Sequence, residues 1–212
     1  MFPILPLVLW SSSPPSLPPP SPPPPLPLLA QSDRGSLERS RRFPLRREGG
    51  GTRGACASRL VAHLVPLDGR FDPGARPILG VIEGESPEPA PLLLRWSGGE
   101  RIEPARPGAS LRLLLLSAPV GSGLWESFPA CEGSAEPLAP PARSLLGPTP
   151  GAAASPERDA RDALRRLWSR CGERIATAEL LAAWDYPHLA DRLPSVLPVV
   201  CASHAAAPAR SL

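Results

Sequence analysis

Residues able to do covalent chemistry are few in this chain. Nucleophilic catalysis needs a nucleophile, a base and a group that orients the base. The three histidines, His63, His188 and His204, stand in unrelated contexts, and no G-x-S-x-G turn is present. A P-loop is impossible because the chain has no lysine. Asp185 and His188 are one helical turn apart, but Pro187 lies between them, so His188 reads as a surface residue. Cys201 and His204 have a ligand-like spacing, and Cys171 and His188 could complete a tetrahedral set, yet the intervals match no zinc-finger pattern. The four cysteines, Cys56, Cys131, Cys171 and Cys201, are sparse and lack a C-x-x-C pair, which favours free thiols over a disulfide framework. The sequence therefore predicts a non-enzymatic chain with no catalytic, cofactor or metal site.

Arginine is the other chemically informative residue. All 23 of the Lys+Arg residues are Arg, and Asn is absent as well. Surface chemistry does not demand that exclusion, whereas a GC-rich coding bias does, and a reading frame without selected function would show the same bias. Arg39-Ser40-Arg41-Arg42 matches the R-x-[KR]-R pattern cut by furin-type convertases, which predicts a secreted precursor processed after Arg42 if the chain is exported. An apolar stretch over 2–10 has the length of a secretory core but lacks basic residues in front and contains Pro3 and Pro6. The same arginines could form a nuclear address, a phosphate-binding patch or part of a transit peptide, and the blandest reading is a solvated linker. A net charge of +3 is too mild to imply nucleic acid.

A near-continuous proline tract over 14–27 predicts polyproline II. Its end, Pro24-Pro25-Leu26-Pro27, resembles the PPLP ligands of WW domains, and a profilin-like partner would also suit it. The alternative is a stiff spacer.

Local signals agree best over 155–194. Ser155 and Pro156 form a helix start. Ala160, Ala163, Leu164, Leu167, Trp168 and Cys171 then recur at helical steps, acids crowd the first turns and arginines the last, and Gly172 supplies a stop. Thr177 is a candidate cap for a second piece carrying Leu180, Leu181 and Trp184, ended near Pro187. Leu164, Leu167, Trp168, Leu181 and Trp184 would together offer an apolar face to a helix-binding protein partner.

Elsewhere, short apolar runs at 60–67, 78–82, 92–96 and 111–116 are separated by turn residues and predict a small antiparallel β module over 60–120. Its clearest feature is a hairpin pairing 92–96 with 101–103. With 33 Pro, 18 Gly and only 5% aromatic residues, the remaining chain reads as disordered and low in complexity. The expected organisation is an apolar start and polyproline tract (1–30), an Arg/Gly/Ser-rich linker (31–59), the β module (60–120), a Pro/Gly/Ala linker (121–154), the helical unit (155–194) and a disordered tail (195–212). No stretch approaches the length of a membrane span. The expected function is protein–protein interaction through the proline tract and the helical face.

Overall fold

The computed structural model describes residues 45–51, 59–117, 120–131, 137–148 and 154–203. Over these residues the chain is a folded, β-rich domain of two sheets, which overturns the expectation of a mostly disordered, low-complexity chain with a small β module. The six-stranded sheet contains β1 (Glu48–Gly49), β2 (Val61–His63), β4 (Ile78–Glu83), β7 (Ser110–Leu115), β10 (Arg174–Ala176) and β11 (Val196–Ser203). Its order is β1-β2-β4-β7-β11-β10, antiparallel except for β7 with β11. The five-stranded sheet contains β3 (Arg70–Phe71), β5 (Leu92–Trp96), β6 (Gly99–Glu103), β8 (Gly123–Pro129) and β9 (Ala142–Leu146), in the order β3-β9-β8-β5-β6.

Side-chain alternation assigns each face of the six-stranded sheet a different neighbour. Val61, Glu83 and Ser110 lie across from one another, as do His63, Val81 and Arg112, so all six share one face. From that face His63 and Arg112 reach residues of the five-stranded sheet. The opposite face carries Ala62, Ile82 and Leu111 and receives helix α1 (Ala154–Trp168). At Gly80 a Cβ would stand 2.7 Å from Leu164 Cδ2 and 3.0 Å from Leu64 Cβ, so a larger residue there would have to push those side chains between α1 and β4 aside. The central strands are consequently covered on both sides, every residue of β2 and β4 being buried. A run such as Leu113-Leu114-Leu115 has no reason to alternate in that position.

The hairpin of β5 and β6 turns through Ser97-Gly98, with Trp96 opposite Gly99 and Leu92 opposite Glu103. Strands extend well beyond 60–120: β1 lies in the expected Arg/Gly/Ser linker, β8 and β9 in the expected Pro/Gly/Ala linker, and β11 in the expected tail.

The helical region is real but interrupted. α1 is followed by β10, then α2 (Thr177–Ala183) and a 3-10 turn over Pro187–Arg192. Gly172 has φ +85°, the left-handed conformation of a helix stop, and its amide bonds to Val199 O at 2.9 Å. Thr177 does not cap α2. Ala176 occupies the capping position, and the Thr177 hydroxyl donates instead to Pro194 O. No helix among the described residues is long and apolar enough to cross a membrane.

Cysteine chemistry differs from expectation. Cys171 and Cys201 form a disulfide with Cα atoms 5.6 Å apart, joining the turn after α1 to β11. Cys131 is disulfide-bonded too. No described cysteine is a free thiol. Sparse spacing misled the sequence reading because β10 pairs with β11 in space, which brings cysteines 30 residues apart together.

Candidate functional site

Three arrangements of polar or accessible groups stand out: two sealed between the sheets and one open at the helices.

The first sealed group is ionic. Glu83 of β4 pairs with Arg112 of β7 and, at 3.3 Å, with Arg59, while Arg112 also reaches Glu103 of β6 at 3.4 Å. Arg59 donates to four carbonyls, those of Gly84, Ala90, Arg106 and Gly108. Burial lowers the Arg59 pKa; Glu83 opposes that shift and Arg112 adds to it. These groups bond the two sheets and several loops to one another, and all four charged side chains are buried.

The second sealed group is neutral. His63 stacks on Trp125 of β8 with centroids 3.5 Å apart, and its Nδ1 is 2.8 Å from Ser144 Oγ on β9. A serine hydroxyl beside an imidazole is the start of a nucleophile–base pair. Here both side chains are fully buried, each 0% exposed, and neither lines the groove between the helices. Among the described residues, His63 Nε2, Trp125 Nε1 and Ser127 Oγ have no hydrogen-bond partner. Burial alone pushes the His63 pKa well below its usual value, which keeps the ring neutral.

The open feature is a groove between α1 and α2, made of two adjoining cavities of about 290 and 360 Å3. Ala163, Arg166, Ala183 and Trp184 line both. Ile175 and Leu180 contribute to the smaller cavity, and Val65, Pro66 and Leu67 to the larger. Arg166 makes no ion pair with any described residue, nor do Asp159 and Asp185, which line the larger cavity with it. Arg47 ties the start of the domain to this end of the groove: its guanidinium donates to the carbonyls of Val65 and Trp184, both at 3.1 Å, and lies over the Tyr186 ring at 4.4 Å. Tyr186 in turn donates to His63 O at 2.7 Å, and burial raises its phenol pKa despite the neighbouring Arg47.

Of the apolar residues predicted to face a partner, Leu164 and Leu181 are each 1% exposed and belong to the chain's own core. Trp184 is also buried, at 6% exposure, although it lines the groove. Leu167 and Trp168 are half-buried, and Leu167 lines the groove. The correction follows from the six-stranded sheet, which supplies a covering for the helices that the sequence did not reveal. Leu67 was missed as a site residue. Its only sequence signal is a large apolar side chain in the turn Pro66-Leu67-Asp68-Gly69, where it is 69% exposed. Pro24, Pro25, Leu26 and Pro27 lie outside the described residues, as do Arg39, Arg41 and Arg42.

The imagined zinc set does not assemble, since Cys171 and Cys201 bond each other and His188 pairs with Glu48 at 2.8 Å; His204 is outside the described residues. Among the described residues no group of His, Cys, Asp and Glu stands where it could hold a metal ion. No protein-family model matches the chain, and no curated protein or solved structure shows significant similarity to it. What the fold and site define is a cystine-containing two-sheet domain with an open interhelical groove.

Proposed function

We propose that the chain is the precursor of a secreted binding domain: it is exported through its apolar N-terminal stretch, is cut after Arg42, and acts through binding rather than catalysis. The observation that carries this reading is the cystine at Cys171–Cys201, joined by the bonded state of Cys131. Disulfides persist in oxidising compartments and are rare where thiols are kept reduced. Two further features support it. Every strand among the described residues lies C-terminal to Arg42, so a cut after Arg42 removes none of them. The Ser144–His63 pair is buried, while the groove between the helices is accessible and carries Leu67, Leu167 and Trp184 in its walls.

Expression of the whole chain in secreting animal cells tests this. The expected product in the medium starts at Phe43, and Cys131, Cys171 and Cys201 resist alkylation until reductant is added. Recovery of only an uncut intracellular chain with alkylated cysteines would overturn the reading.

A further inference from the structure

We infer that, before processing, the interhelical groove is occupied by this chain's own residues 37–42, so that the cut after Arg42 uncovers it. This rests on the reading of Arg42 as a processing point, but its test does not require processing.

The argument begins with where the preceding chain arrives. Leu45, the first described residue, shares the wall of a polar cavity with Leu67, and Leu67 also lines the larger groove cavity. Arg47 fixes that arrival, because its guanidinium donates to the carbonyls of Val65, Trp184 and, at 3.5 Å, Asp185, all of which line the same cavity. Residues immediately before 45 therefore emerge at the groove's end. Eight residues back from Leu45 reach Leu37, and in extended form they span about 26 Å. That exceeds the roughly 22 Å length of a 15-residue helix such as α1. The segment can run the length of the groove.

Composition fits as well as reach. Charged residues lining the larger cavity are Asp159, Asp185 and Arg166, an excess of one acid, and none has an ion-pair partner among the described residues. Residues 37–42 read Leu-Glu-Arg-Ser-Arg-Arg, one apolar side chain with three arginines and one acid. Leu37 suits the apolar floor formed with Ala160, Ala163 and Trp184. Arg39, Arg41 and Arg42 suit Asp159 and Asp185, and Glu38 suits Arg166. Arginine is apt for this because its planar fork pairs with carboxylates in two-point contacts. After cleavage Leu37 and all three arginines leave together, and the groove loses its cover in one step.

Hydroxyl-radical footprinting of the uncut full-length chain, read by mass spectrometry at Leu67 and Leu167, provides the test. The comparison chain carries Leu37→Asp, Arg39→Glu and Arg41→Glu, all outside the described domain. If the segment is docked nine-tenths of the time, labelling of both leucines rises about tenfold in the variant. A second chain, Asp159→Asn with Asp185→Asn, reaches the groove from the other side and gives the same rise; Asn tolerates the φ of +57° at 185. Equal labelling in all three chains overturns the inference while leaving secretion and cleavage untouched. A rise in the second variant alone also overturns it, since the change would then be local to the groove.

Discussion

The two sealed polar groups lie on the same face of the same sheet, yet they solve the problem of burial differently. Around Glu83 every charge is met by another charge or by a carbonyl, with Arg59 alone reaching four carbonyl oxygens. Around His63 three polar atoms are left without partners among the described residues. A buried ion without a counterpart costs several kcal/mol, whereas a neutral group short of one bond costs about 1–3 kcal/mol. The ionic group has two atoms short of a hydrogen bond among the described residues, Glu83 Oε1 and Arg101 Nη1, but both belong to side chains held in ion pairs. The atoms around His63 have no charge to offset, and the ring stays neutral.

Breaking the ionic group should have the largest effect. Glu83→Ala leaves Arg59 and Arg112 facing each other without their shared carboxylate and should cost about 3–5 kcal/mol, read from urea unfolding followed by tryptophan fluorescence. A loss below about 1 kcal/mol would mean that water reaches the arginines. On the neutral side, Ser144→Ala deprives His63 Nδ1 of its partner and should cost about 1–3 kcal/mol in the same assay.

Acid should sharpen the contrast. The folded state disfavours the His63 imidazolium, while the unfolded chain binds a proton as pH falls below about 6.5. Stability is therefore full above that value and declines below it, with a slope of about 1.4 kcal/mol per pH unit from this residue. His63→Phe keeps a ring against Trp125 and should remove that part of the slope; unfolding curves of both proteins between about pH 6.5 and pH 5 separate it from carboxylate effects. Smallest, and opposite in sign, is Ser127→Ala. It deletes an orphaned hydroxyl and should raise stability by up to about 1 kcal/mol, seen as a later urea midpoint.

The same burial explains what the sequence disclosed and what it hid. The β5–β6 hairpin was legible because Ser97-Gly98-Gly99 is strong turn chemistry after an apolar run, although the turn closes over Ser97-Gly98 alone and β6 already starts at Gly99. The first helix was legible because its apolar residues keep a 3.6-residue period. β8 and β9 were not. Their inward positions include Gly123, Trp125 and Ser127, then Ala142, Ser144 and Leu146, so small and polar residues occupy the buried register and hydrophobic alternation disappears. β11 contains Pro198, a signal against a strand, and it is admitted where β11 pairs with the short β10. Composition misled most strongly, since 13 of the 33 prolines precede Leu45 and lie outside the described domain.

Of the site, the sequence found the helices and Leu167, but not the groove. Its far wall comes from the turn carrying Leu67, about a hundred residues away, and only the sheet brings that turn to the helices. The sequence likewise treated Leu164 and Leu181 as free to bind because nothing local announces the covering sheet.

The cystine at Cys171–Cys201 also sets how the domain bears mechanical load. β11 runs parallel to β7 from Val199 to Ser203, so tension applied from beyond Ser203 pulls the strand lengthwise against a row of five paired residues. Only the last two of those pairs lie beyond Cys201. Force that reaches the cysteine passes through a covalent link into the turn after α1, bypassing the remainder of β11. A C-terminal tether would thus strain two rungs of the ladder before meeting a bond that tension of that kind does not open.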